Sequence, residues 1–185
     1  FSLLADIRSV FRPKTNELLV NKRITGEQRM YTIAREIGFN YMNLKPRALS
    51  SQAVDSQSFE EVLNSFNASY FASAIILPQA TFLQDVKAWF GNKKWNDTVL
   101  EGFISKYHCT PETLFYRLSN LLPKFFGISS TFFMRFESVS GSNEYWLTKE
   151  MHLARRLGPQ EKVDEHYCRR WVSIGILENL AFKQS

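Results

Sequence analysis

The chain has 185 residues, 44% of them hydrophobic and 15% aromatic, which excludes a disordered chain and supplies enough apolar side chain for a true core. Its 23 Lys and Arg against 18 Asp and Glu give a net charge of +5, spread along the chain, compatible with an anionic ligand or nearby nucleic acid but marking no basic tract. No apolar run reaches about 18 residues and nothing resembles a secretory signal; Cys109 and Cys168 form no metal-type cluster, so a reducing, cytoplasmic setting without a membrane is expected.

In chain order, Phe1 to Phe11 (FSLLADIRSVF) reads as the end of a helix, and its start inside an apolar pattern without an initiator Met suggests a fragment. Leu18, Leu19 and Val20 predict a strand. Thr25 with Gln28 is a capping-box pair, and Met30, Ala34, Ile37 and Tyr41 then recur at helical spacing, predicting a helix to about Met42 and a Ser/Pro/Gln-rich loop over Lys45 to Ser56. Ser58 with Glu61 opens a second helix whose Phe59, Val62, Leu63, Phe66, Tyr70 and Phe71 form a broad apolar face, ended by Pro78. QATFLQDVKAWFG predicts a short helix closed by Gly91, and NDTVLEGFISKYH a fourth with Asp97 as cap. A fifth has Thr110 as cap, Pro111 at its first position and Leu114, Leu118 and Leu121 facing inward. After Gly127 the texture turns β-prone: STFFMRFESVSGSNEYW predicts a hairpin from about Thr131 to Leu147, and a final helix or strand is expected over Trp171 to Leu180. The fold class is α+β, mainly helical over 1–126, with a small β-rich portion over 127–185.

The stretch TIAREIGFNYM, Thr32 to Met42, has the rhythm of a zinc-peptidase helix. Such a helix needs imidazoles at i and i+4, stacked on one face toward one metal, with a Glu between them as general base. Here those positions hold Arg35 and Phe39, neither of which binds zinc, and Glu36 alone has no metal-bound water to activate. His108, His152 and His166 show no ligand spacing. No metal and no catalytic residue are expected.

QRMYTIAREIGFNYM followed by NASYFASAIILP resembles the paired helices of the ImmA/IrrE metallopeptidase family, with the acidic ligand of the second helix also missing from Asn67 to Ala72. AREIGF, ASYFASAIILP, TPETLFYRLSNLL and STFFMRFE, in that order, are similar to the C-terminal sensor region of the short-chain fatty acyl regulators, transcription factors with an Xre-type helix-turn-helix. The resemblance covers roughly Gln28 to Glu137, with an echo at HYCRRW, where Cys168 stands without the small Cys-rich cluster of several relatives. It implies a degenerate peptidase-like scaffold, no cofactor, an acyl-CoA or short-chain fatty acyl effector, DNA contact through a domain outside this chain, and a homodimer.

An acyl-CoA site needs an apolar slot beside cationic and aromatic groups. Phe39, Tyr70, Phe71, Phe132 and Phe133 are candidates for the slot, with Arg35 where the metal would be; the plainer reading makes the aromatics core and pairs Arg35 with Glu36 or Glu137. Arg155 and Arg156, or Arg169 and Arg170, are candidates for phosphates and Trp171 for stacking, although paired arginines also read as a solvated face. A rival lies in LEGFISKYHCTPETLFYRLSNLL, whose helix-turn-helix rhythm would present Glu112, Thr113, Tyr116 and Arg117 to DNA; one cation among four residues is poor for meeting phosphates, so a structural hairpin is expected. The alternative from another class is a catalytically dead peptidase-like fold serving as an interaction or dimerisation module.

Overall fold

A computed structural model describes residues 7–50, 58–94, 96, 98–138, 145–152, 173, 175, 176, 178 and 179, with backbone alone at 132, 137, 138 and 145–152. The fold is mainly helical α+β, and the chain forms two compact units, residues 1–117 and 118–185.

The first unit opens with a hairpin, β1 (Ser9–Arg12) antiparallel to β2 (Glu17–Val20), Ser9 opposite Val20 and Arg12 opposite Glu17. β2 is the predicted strand. β1 replaces the helix end expected there: Asn16 takes φ 55°, a left-handed conformation that Asn tolerates, and the reversal commits Val10 and Phe11 to cross-strand partners.

α1 (Gly26–Tyr41) starts at the predicted capping box, with Thr25 Oγ1 accepting from the Gln28 N–H at 3.3 Å and Gln28 Oε1 accepting from the Thr25 N–H at 3.1 Å. Its buried residues are Ala34, Gly38 and Phe39, whereas Met30, Ile37 and Tyr41 of the predicted stripe are exposed, Tyr41 by 79%. The helix is right and its inward face is rotated. The reason is the crossing with α2 (Phe59–Ile76): a Cβ on Gly38 would stand 2.9 Å from Phe71 Cδ1, so the contact turns on the smallest residue, and Tyr41 and Phe71 lie ring to ring at 5.5 Å beside it.

α2 corrects the sequence reading more sharply. Ser58 Oγ caps the Glu61 N–H at 3.2 Å as expected, but Phe59, Val62, Leu63, Phe66 and Tyr70 are not buried, Phe59 being 80% exposed and Tyr70 40%. The inward stripe is Glu61, Asn64, Ala68, Ala72, Ser73 and Ile76. Asn64 is held by Nδ2 donating to the Pro46 carbonyl at 2.9 Å, which satisfies a polar group placed inside.

Pro78 ends α2 and starts α3 (Gln79–Phe90), which packs on α4 (Thr98–Tyr107) through the fully buried Phe82, edge-on to Phe103 at 5.8 Å and Tyr107 at 5.5 Å. Lys106 and the Tyr107 hydroxyl both donate to Asp85, closing the rim of that contact. α5 (Pro111–Phe126) follows, with Leu114, Leu118 and Leu121 buried as predicted.

In the second unit, β3 (Phe132–Ser138) pairs antiparallel with β4 (Tyr145–His152), Phe132 opposite His152, with an irregularity between Arg135 and Phe136. This is the predicted hairpin, five residues longer at its far end, with the 139–144 turn outside the described residues. Positions 173, 175, 176, 178 and 179 are helical, and the other positions of the expected Trp171–Leu180 element lie outside the described residues. Among the described residues no helix is long and apolar enough to cross a membrane.

Candidate functional site

Arg35 and Phe39 lie one turn apart on the same face of α1, and the structure brings them together, the guanidinium carbon 5.0 Å from the ring centroid. Phe39 is 3% exposed and also carries Arg47, whose guanidinium sits 4.1 Å from the Phe39 centroid and 3.9 Å from that of Phe11 on β1. The loop that delivers Arg47 is tied to β1: the Phe11 N–H donates to the Leu49 carbonyl at 2.8 Å, and Val10 bridges to Ser50. Arg47 donates through Nη1 to Glu36 Oε1 at 2.9 Å and through Nη2 to Glu36 Oε2, a two-pronged pair with both side chains nearly buried. Asn40 Nδ2 adds a third bond to Glu36 Oε1 at 2.8 Å.

Glu36 is therefore committed to Arg47 and not to Arg35. Arg35 Nε is enclosed without an acceptor among the described residues. Burial lowers its pKa; the Arg47 charge pushes the same way, while Tyr31 and Glu36 oppose it. The Tyr31 phenol is itself raised by burial, countered by a hydrogen bond with Ser69. A guanidinium is not deprotonated in proteins, so Arg35 stays charged. Among the described residues Glu36 thus pairs with Arg47 alone, and the charge of Arg35 stands beside the Phe39 ring.

Of the remaining sequence candidates, the described ones in the first unit have other partners. Phe71 serves the α1–α2 crossing at Gly38 and Tyr41. Tyr70 faces Arg117, 5.4 Å from ring centroid to guanidinium. Phe133 is buried in the second unit. The Phe132 side chain, Glu137 as partner, and Arg155, Arg156, Arg169, Arg170, Trp171 and Cys168 lie outside the described residues. Among the described residues no three His, Cys, Asp or Glu side chains come together as metal ligands would.

The DNA-recognition reading of α4 and α5 is corrected by burial. Thr113, Tyr116 and Arg117 are 4%, 2% and 2% exposed, so the face that would enter a groove is inside the fold. Arg117 instead finishes α2: its Nε donates to the carbonyl of Leu77, the C-cap, at 3.2 Å, a cation at the negative end of a helix. That bond contributes about 1.5–3 kcal/mol and the helix end up to about 2 kcal/mol. Opposing them are a desolvation penalty of several kcal/mol and an enclosed Nη1 without an acceptor. The terms nearly cancel, so Arg117→Met, which keeps most of the volume, is expected to change stability by no more than about 1 kcal/mol in urea unfolding; a loss above twice that would show that the cation itself holds α2.

Sequence reading missed Phe11, Tyr31 and Arg47. Glu36 and Arg47 stand eleven residues apart across a helix end, beyond any local spacing rule.

No family model matches the chain, and no curated protein matches it. Among solved structures it is similar to a Mycobacterium tuberculosis transcriptional regulator, with a TM-score of 0.56 and 20% identity over 83% of this chain and 44% of that one. The likeness is one of fold. The chain spans less than half the length of that regulator.

Proposed function

We propose that this chain is the effector-binding part of a bacterial transcription regulator of the short-chain fatty acyl type, on a peptidase-like scaffold that has lost its zinc ligands. In this reading a short-chain acyl-CoA or fatty acyl ligand settles beside Arg35 and Phe39 and alters DNA binding by a helix-turn-helix domain outside this chain, in a cytoplasmic homodimer. The observation that carries it is Arg35: a part-buried guanidinium whose Nε has no acceptor among the described residues, set against a buried ring, is a cation suited to an anionic partner. The fold likeness to a transcriptional regulator supports the regulatory half of the reading. No enzymatic role is proposed, because Glu36, the residue a peptidase of this type would use as base, is taken up by Arg47 and Asn40.

Control of DNA binding requires that the ligand bind one state of the domain more tightly than the other. Thermal-shift measurements with acetyl-, propionyl- and butyryl-CoA, free CoA and the free acids test the sensor claim. At a hundredfold excess over Kd, a true effector raises Tm by roughly 5–10 °C. No stabilisation by any acyl species would remove the claim. The interaction-module reading would then stand, favoured by the outward Phe59, Val62, Leu63 and Phe66 of α2.

A further inference from the structure

We infer that two copies of this chain pair through the exposed side of α2, each α2 lying antiparallel against α2 of the other copy; this rests on the homodimer proposed above and names its face. The helix is apolar on two sides. Glu61, Asn64, Ala68 and Ala72 are buried on one of them, while Phe59, Leu63, Phe66 and Tyr70, with Val62 beside them, follow one another at spacings of four, three and four along the other. Those spacings line the side chains into one stripe, whose gaps receive the side chains of a second helix. A helix that is apolar all round is a covered helix, yet Phe59 is 80% exposed and the other four are 40–47% exposed.

Charge, register and area select a second copy as the cover. Between Phe59 and Tyr70 the charged residues are Glu60 and the buried Glu61, so a charged partner helix finds nothing to pair with along the stripe. A parallel pair brings two Glu60 carboxylates to the same end; an antiparallel pair parts them and sets each near Asn67 of the other copy. In that register Phe59 of one copy meets Tyr70 of the other and Leu63 meets Phe66, so the stripe is its own complement, as a two-fold interface requires. Half of it is fixed before association: Phe66 stands edge-on to the buried Tyr116 at 6.3 Å, and the Tyr70 ring centroid lies 5.4 Å from the Arg117 guanidinium. At about 150–250 Å² for a whole aromatic side chain, the five residues present about 500 Å² per copy. The pair then buries about 1,000 Å², the lower bound for a specific interface, which predicts a reversible dimer with Kd on the order of 10 μM.

Sedimentation equilibrium of the whole chain, at concentrations well below and well above that Kd, tests this. The mass is expected to rise from that of one chain to that of two. Leu63→Lys and Phe66→Glu are each expected to weaken pairing at least tenfold, and an equimolar mixture of the two variants to recover it, because position 63 of one copy opposes position 66 of the other and the new charges are opposite. Urea midpoints in dilute solution show that the variants fold; should either fail, Phe59→Glu, at the most exposed position, takes its place. A single-chain mass at every concentration would overturn the pairing and the homodimer with it, while the thermal-shift test of the effector stands apart. A dimer that the variants leave intact would overturn this face and keep the homodimer. Loss in each variant without recovery in the mixture would overturn the antiparallel register.

Discussion

Arg47→Met is expected to lower the unfolding free energy by about 3 kcal/mol, read as a drop of about 1.5 M in the urea midpoint. The loss is not the value of one salt bridge on a surface, which would be below about 1 kcal/mol. Arg47 and Glu36 are 11% and 14% exposed, and removing the cation leaves a carboxylate enclosed with one amide donor. The substitution also removes the group packed between Phe11 and Phe39, so the loop to Ser50 loses its anchor on β1 as well as on α1. Glu36→Gln in the Arg47→Met background should recover part of the loss, because a neutral amide is cheaper to enclose than an unpaired charge. A loss below about 0.5 kcal/mol in the single variant would mean that the pair is held open to water and does not organise the site.

Gly38→Leu is expected to cost about 3 kcal/mol by the same measurement. Its Cβ alone would stand 2.9 Å from Phe71 Cδ1 and 3.2 Å from Phe71 Cβ, and the second of these belongs to the root of the side chain, which cannot swing away. Gly38→Ala meets the same two atoms but gains about 1 kcal/mol of helix propensity, so its net loss should be smaller. Gly102→Ala, inside α4 with nothing within 4 Å of the added Cβ, is the control and should stabilise by roughly 0.5–1 kcal/mol. If Gly38→Leu were as harmless as the control, α1 and α2 would not be locked at this crossing.

Much of the fold was legible because its signals are local. The Thr25–Gln28 box, Ser58 before Glu61 and Pro111 at the head of α5 each act within one turn, and each element began where those residues said. Facing was less legible. Helical spacing in α2 identifies Phe59, Val62, Leu63, Phe66 and Tyr70 as sharing a side, but it does not say whether that side meets the first unit's core; the close crossing at Gly38 selects the small residues of α2 instead. β1 was misread for a related reason, since pairing with β2 through the turn at Asn16 overrides the apolar texture of Ser9 to Phe11.

Within the site, the loss of both imidazoles at Arg35 and Phe39 is plain in the sequence, and so is the need of Arg35 for a partner. That Glu36 would be claimed by Arg47, leaving Arg35 Nε without an acceptor among the described residues, depends on a loop returning across the helix end. No pattern of spacing records that event, which only the three-dimensional path of residues 42–50 creates.

Arg35, whose Nε has no acceptor among the described residues, is the centre of the sensor reading, and its Nε–H resonance reports on it directly. In a nitrogen–proton correlation spectrum, adding the best-binding short-chain species should shift and sharpen the Arg35 signal as the fork gains its acceptor, while the Arg117 signal, already bonded to the Leu77 carbonyl, stays in place. A ligand that stabilises the protein yet leaves the Arg35 resonance unmoved at saturation would contradict the account.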